Sequence, residues 1–239
     1  MKLVAFTSFK GGAGKSTSLM SSVSGLVQAG KKVALFEADQ NDPLSTWQTN
    51  ARAIGTWDES CQIYDGSELD VFIPNMEKAE QNGCDIALVD MRGGDSELNT
   101  AIIANADLVL IPTSLTAMDI DGAISTFQFL LNFMEANEKD VPAAFLLTRV
   151  PTGRQSAAEK ESLEMLKEMP QLSARLPQRN AFADIMSLGM LHLYHRELAA
   201  DPNKRILAGH IEVAVREASR ISSDILDVIF PERHVAESA

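Results

Sequence analysis

Short apolar runs alternate with longer amphipathic segments along most of the chain. Runs at 3–9, 32–38, 62–64, 86–90, 108–112 and 143–147 are rich in Val, Ile, Leu or Phe, and a weaker one lies at 173–176. Most are continuously apolar and do not alternate, which is the pattern of parallel strands covered on both faces. Between them, 16–29, 43–54, 68–81, 96–105, 119–137, 157–169 and 180–188 carry apolar residues at helical spacing. Pro43 suits a first helical turn, and Gly30 stops the first helix. Residues 202–230 read as one long helix with no strand after it. This order predicts βαβ units in a three-layer α/β fold with a mostly parallel central sheet. Ligands then gather at the carboxyl ends of the strands. No repeat, low-complexity tract or linker breaks the pattern, and 239 residues fit one domain.

The first strand leads into Ser8-Phe9-Lys10-Gly11-Gly12-Ala13-Gly14-Lys15-Ser16-Thr17, followed at once by helix. Strand, glycine-rich turn, lysine, hydroxyl and helix make a phosphate cradle. The glycines let backbone N–H groups turn onto a phosphate without a Cβ in the way, and the helix N-terminus adds partial positive charge. Lys15 reaches the terminal phosphates and Ser16 supplies a hydroxyl for Mg²⁺. The usual loop has glycine six residues before the lysine; here that position is Phe9, and a second lysine, Lys10, precedes the glycines.

Charge and cysteine content narrow the function classes. A net charge of −12 repels nucleic acid and anionic membranes at long range, so any DNA contact requires a local basic patch. Cys61 and Cys84 are the only cysteines and lack metal-ligand spacing, as expected of free thiols in a reducing compartment. Neither a signal peptide nor an uninterrupted apolar span of membrane length is present, so the expectation is a soluble, cytoplasmic protein.

The string KGGAGKST resembles the deviant Walker A motif of the ParA/MinD ATPases. Glu37-Ala38-Asp39-Gln40-Asn41, after the second strand, resembles their DxDPQ motif, with Glu37 for the first aspartate and Gln40-Asn41 for Pro-Gln. The run 86–90 ends in Asp90 as a Walker B strand does. Within the family the likeness is strongest to the VirC-type proteins. It rests on AFTSFKGGAGKST, ALFEADQNDPL, TWD at 56–58, SELNTAIIA at 96–104, RVPTGR at 149–154 and GMLHL at 189–193, and it covers about residues 1–230.

The resemblance implies a P-loop NTPase fold that binds ATP and Mg²⁺, dimerises face to face around ATP, and hydrolyses it slowly as a switch. It implies nucleotide contacts from Lys10, Gly11, Gly12, Ala13, Gly14, Lys15, Ser16 and Thr17. Lys10 reaches the partner's phosphate, Lys15 its own. Asp39 positions the attacking water, and Ser16, Asp39 and Asp90 form the Mg²⁺ shell. Thr148 stands where the family often has an asparagine at adenine. The segment 176–182 resembles the family stretch that closes over the base before a helix and a glycine, here Gly189, so Thr148, Arg149, Pro177 and Gln178 are candidates around the base; an ordinary strand-to-helix turn is the competing reading of 176–182. Asp119 suits a helix N-cap as well as a place at the nucleotide. Arg92 reads as a solvated arginine before it reads as a charge sensor.

Family members bind DNA through basic residues near the C-terminal helix, where this chain has Lys204, Arg205, Arg216 and Arg220. Arg216 and Arg220 share a helical face, diluted by Glu212, Glu217, Asp224 and Asp227, so a mixed solvated face is the competing reading. The implied role is DNA transfer or positioning with a DNA-processing or partition partner protein. A plasmid or chromosome partition ATPase and a nucleotide-binding scaffold with little hydrolysis are alternatives. A MinD-like membrane helix would need a basic C-terminus. The stripe Ile221, Ile225, Leu226 and Ile229 is flanked by Asp224 and Asp227, which points to a buried docking helix and no membrane partner. An iron–sulfur reductase would need cysteines in loops after the strands, where Cys61 and Cys84 do not fall. His192 and His195, three apart, read as structural before they read as a metal pair. Trp47 and Trp57 read as core or interface residues.

Overall fold

A computed structural model describes residues 1–38, 42–92 and 96–231. Six strands, β1 (Lys2–Phe6), β2 (Val33–Glu37), β3 (Cys61–Asp65), β4 (Ile86–Asp90), β5 (Leu108–Thr113) and β6 (Ala143–Leu147), form one sheet in the order β3-β2-β4-β1-β5-β6. Every pairing in it is parallel. The central strands β2, β4 and β5 are buried at every position, as their unbroken apolar runs require.

Alternation across the pleat sends neighbouring residues into two separate cores. Val4, Phe6, Leu35, Leu88 and Leu110 meet α1 (Lys15–Gln28), α2 (Pro43–Ala53) and the C-terminal helices. Leu3, Ala5, Phe36, Val89 and Ile111 meet α3 (Leu69–Gln81), α4 (Glu97–Asn105), α5 (Ala117–Ala136) and α6 (Ala157–Leu166). The result is the three-layer arrangement that alternating strands and helices predict.

Differences from the sequence reading have local causes. The first strand stops at Phe6, not residue 9, because Ser8 turns the chain by bonding Lys10 N–H and C=O, each at 3.2 Å. The segment 180–188 is two single turns, α7 (Asn180–Ala183) and α8 (Ile185–Leu188). A helix absent from that reading, α9 (Leu191–Ala199), follows Gly189 and buries Leu191, Leu193 and Leu198. Residues 173–176 form no strand. Asp224 accepts from Ala174 N at 2.7 Å and from Ser173 Oγ, so part of that segment bonds a helix and not a neighbouring strand.

The last helix among the described residues, α10 (Arg205–Ile229), follows a 3-10 turn at Pro202–Lys204. Ile221, Ile225, Leu226 and Ile229 are all buried against the core that α1 also faces. Each such side chain contributes on the order of 1.5–3 kcal/mol as an upper bound, enough to hold the helix on the body. Among the described residues no helix is long and apolar enough to cross a membrane. Trp47 and Trp57 meet edge to face at 5.2 Å inside the same core.

Helices α1 and α10 approach closely at Gly25. A Cβ there would stand 2.3 Å from Ser222 Oγ and 2.9 Å from the backbone of Ser219. Ser222 Oγ in turn donates to Ser22 O at 2.7 Å. Gly25→Ala is therefore expected to destabilise the protein by about 1–3 kcal/mol. The check is thermal unfolding, where each kcal/mol lowers Tm by roughly 2–4 °C at this chain length. An unchanged Tm would contradict the close crossing.

Candidate functional site

Parallel register lines up the carboxyl ends of three strands: Asp90 of β4 lies beside Phe6 of β1 on one side and Glu37 of β2 on the other. The glycine-rich loop leaves β1 at this edge. Gly12 (φ 79°) and Gly14 (φ 94°) adopt left-handed backbone that glycine takes without strain. Gly14 caps α1, whose N-terminus has no side-chain cap, so the first-turn N–H groups of this 14-residue helix are directed at the loop.

The loop is clamped from two sides. On the α5 side, Phe9 N donates to Thr126 Oγ1 at 3.1 Å and the Phe9 ring meets Phe129 edge-on at 5.1 Å. Lys10 crosses α5 at Gly122, where a Cβ would stand 3.3 Å from the lysine's own. On the β6 side, Thr148 Oγ1 donates to Ala13 O at 3.2 Å, and Arg149 Nη2 donates to Gly12 O at 2.8 Å. Arg149 holds this position with φ 50°, a backbone strain of order 1–3 kcal/mol in a non-glycine residue.

Asp119 ties the two sides together. It is buried, pairs with Lys10 Nζ and lies 3.3 Å from Arg149 Nη2, and it accepts from Ser114 Oγ. The N-cap of α5 is Thr116, which accepts from Asp119 N, so Asp119 is not a cap but the carboxylate between two cations. Burial pushes the Asp119 carboxyl up; hydrogen bonds from Lys10, Ser114 and Thr116 and the charge of Lys10 prevail, leaving its pKa below the ordinary 3.8.

Ser16 Oγ, at the start of α1, donates to Asp90 Oδ2. Asp90 is 1% exposed. This hydroxyl–carboxylate pair is a set of hard oxygens that suits Mg²⁺. Lys15 is half-buried and pairs with no carboxylate among the described residues. A Cβ on Gly11 or Gly12 would meet nothing within 4 Å, so the loop's backbone is open to an anion the size of phosphate.

Glu37 closes β2 and is buried. Its carboxylate accepts from Leu44 N at 2.9 Å and Ser45 N at 2.6 Å, capping α2 across the intervening loop. Asp39, with Gln40 and Asn41, lies outside the described residues, as do Gly93, Gly94 and Asp95. Arg92 is not an ordinary solvated side chain: its Nε donates to Ala38 O at 2.6 Å, joining the ends of β2 and β4.

On the far side of the loop lies a cavity of about 230 Å³ lined by Gly12, Gly14, Thr17, Thr148, Arg149, Pro177 and Gln178. The structure thus gathers every base-side candidate. It adds Leu176, Arg179 and Phe182 from the same 176–182 segment, and Ala183 just beyond it. Gln178 N donates to Val150 O at 2.8 Å, stitching this wall to the end of β6. Thr148 spends its hydroxyl on the loop.

The basic candidates are exposed but fall into two groups. Lys204 and Arg205 begin α10; Arg216 and Arg220 lie three to four turns along it, roughly 17–22 Å away at 1.5 Å per residue. Glu217 and Asp224 are engaged elsewhere, by Arg179 and by Ser173 and Ala174. Among the described residues no three His, Cys, Asp or Glu side chains are grouped to hold a metal ion. His192 is largely buried, and burial lowers its pKa despite the opposing charge of Asp58. Cys61 and Cys84 are free and buried.

Because the folded pKa of Asp119 is depressed, its contribution to stability is present above the unfolded pKa and is lost as pH falls through the folded value. Asp119→Asn is expected to cost about 1–2 kcal/mol at pH 7, the scale of hydrogen bonds to a charged group. The difference from wild type should shrink below pH 3.8. Urea unfolding across this range is the check; a difference constant from pH 7 to 3 would contradict the clamp.

The VirC1 protein family matches residues 1–230 of this chain. Protein virC1 of Rhizobium radiobacter is 42% identical over 229 residues, spanning 96% of this chain and 99% of that protein. Among solved structures, a putative plasmid partition protein from Borrelia burgdorferi B31 bound to AMPPNP superposes with a TM-score of 0.67 at 17% identity, covering 95% of this chain and 98% of that one. The septum site-determining protein MinD of Pyrococcus horikoshii OT3, complexed with Mg-ADP, gives 0.63 at 15% identity, covering 94% and 95%. The last two likenesses establish the fold as that of the ParA/MinD-type P-loop NTPases. With a family match running from the first residue to residue 230 and a relative 42% identical over nearly its whole length, this chain belongs to the VirC1 family.

Proposed function

We propose that the chain is an ATP-dependent, dimerising ParA-like ATPase that binds DNA and acts in plasmid or T-DNA transfer. The observation that carries this reading is the uncapped N-terminus of α1, presented by a loop clamped on both sides, with Ser16 bonded to Asp90 beneath it. The AMPPNP and Mg-ADP held by proteins of the same fold support a nucleotide at this edge. The virC1 relative supports the transfer role over general partition.

In this reading the loop N–H groups of residues 11–17 bind the phosphates, and Lys15 balances the charge of the β- and γ-groups within its own subunit. Ser16 and Asp90 would hold Mg²⁺, with Asp39 completing the shell, and the ion would supply neutralisation of the triphosphate's charge. Asp39 orients the water that attacks the γ-phosphorus while the bond to the ADP oxygen breaks, and positioning accounts for most of the acceleration. Thr148 and Arg149 act on the base side mainly by holding the loop, and Pro177 and Gln178 wall the base.

Lys10 is held by Asp119 of its own chain. To reach a partner's phosphate it must leave that carboxylate, and Arg149, already 3.3 Å from Asp119, remains to pair with it. A triphosphate across a dimer offers Lys10 a charge-assisted contact that a diphosphate does not, so ATP favours the dimer and hydrolysis loosens it. Lys204, Arg205, Arg216 and Arg220 are the DNA-contacting candidates, spread along one helix and not gathered at one point.

The test is mass in solution by light scattering with ATP–Mg²⁺ and with ADP. Wild type is expected as a dimer with ATP and a monomer with ADP, Lys10→Ala as a monomer with both, and Asp39→Ala as a persistent ATP dimer. A wild type that stays monomeric with ATP overturns the sandwich.

A further inference from the structure

Arg179 and Glu217 stand apart from everything assigned above. Arg179 Nε and Nη2 donate to the two carboxylate oxygens of Glu217 at 2.5 and 2.6 Å, a two-pronged pair spanning 38 residues of sequence. Arg179 is 31% exposed and Glu217 only 16%. Hydrogen bonds to Glu217 raise the Arg179 guanidinium's pKa above the ordinary arginine value, with burial opposing. A fork meeting a fork fixes not only the position of a guanidinium but also its plane.

Arg179 lies where two cavities meet. Arg179 and Gln178 line the 230 Å³ cavity beside the phosphate loop and also a groove of about 450 Å³ reaching Tyr194 and His210. Leu176, Pro177 and Phe182 give the smaller cavity an apolar wall beside Arg179, while Thr17, Thr148 and Arg149 line its loop side. Glu217 rides on α10, which Ser222 and Gly25 lock to α1, the helix whose N-terminus faces the phosphate. The arginine is thus fixed relative to the phosphate loop by a chain of rigid parts that does not pass through its own backbone segment.

We infer that Arg179 contacts the base of the bound nucleotide with the flat face of its guanidinium, and that Glu217 is the positioning residue that holds that face in place. The inference rests on the nucleotide reading of the phosphate loop proposed above. A flat cation fixed beside an apolar wall takes an aromatic ring by stacking, and every purine has a π-face, so the contact favours a base over no base more than adenine over guanine. A strap that only tied α7 to α10 would affect all ligands of the loop alike.

The experiment compares binding of ATP, GTP and inorganic tripolyphosphate, each with Mg²⁺, to the full chain by calorimetry. The variants are Glu217→Gln, Glu217→Asp and Arg179→Lys. Glu217→Gln and Arg179→Lys are expected to weaken ATP and GTP roughly five- to tenfold, at the low end of base stacking on a side chain, with tripolyphosphate within about twofold of wild type. Glu217→Asp, which keeps the charge, should recover part of the loss. Equal weakening of ATP and tripolyphosphate would make the pair a structural strap and overturn the inference, as would unchanged ATP binding. A wild type that binds tripolyphosphate but gains nothing from the base overturns this inference alone; one that binds neither ligand overturns the nucleotide reading and this inference with it.

Discussion

A helix that begins without a side-chain cap at the end of a central strand is the constraint on which the rest of this protein depends. The first-turn N–H groups of α1 have no Ser, Thr, Asp or Asn to accept from them, and Gly14 stands in the capping place. Such an end is tolerable when water or an anion supplies the acceptors. The all-parallel sheet places β1 between β4 and β5, so Asp90 meets this helix end from the next strand while Thr148 and Arg149 reach it from the end of β6, two strands away. The fold's contribution to function is to bring rigid groups to one edge.

Around that edge the charges are held by few groups. One buried carboxylate, Asp119, serves both Lys10 and Arg149. Removing it would leave two cations at the mouth of a loop that already presents positive helix-end charge. The arrangement therefore balances the loop without a ligand while leaving a cation able to exchange partners, since a ligand shifts such an equilibrium only by its differential contact with the two states. Glu37 and Arg92 do a quieter task at the neighbouring strand ends, capping α2 and joining β2 to β4.

The strands and the glycine-rich turn into α1 were legible in the sequence because both are written locally. Continuous apolar runs are forced where a strand is covered on both faces, and glycines with a following lysine and serine mark a turn that only a few residue types can make. The four C-terminal apolar residues Ile221, Ile225, Leu226 and Ile229 were legible as a docking stripe for the same reason. What was not legible depends on partners far along the chain. The 173–176 run looks like a strand until Asp224, about fifty residues later, takes the Ser173 hydroxyl and the Ala174 N–H. Asp119 looks like a helix cap until Thr116 is seen to hold that place. Arg92 looks solvated until Ala38 O is found beside it, and the fixed orientation of Arg179 arises only when folding brings Glu217 to it. Helix α9 spans nine residues and buries only Leu191, Leu193 and Leu198, too few to mark a helical period.

Hydrogen–deuterium exchange of the full chain, with and without saturating ATP–Mg²⁺, tests the role of the α1 N-terminus most directly. If its N–H groups are the phosphate donors, peptides covering residues 10–17 should exchange more slowly with ATP and return to the ligand-free rate when Mg²⁺ is chelated and the nucleotide removed. Unchanged exchange across 10–17 in a chain with ATP bound would place the phosphates elsewhere and contradict the site described for this protein.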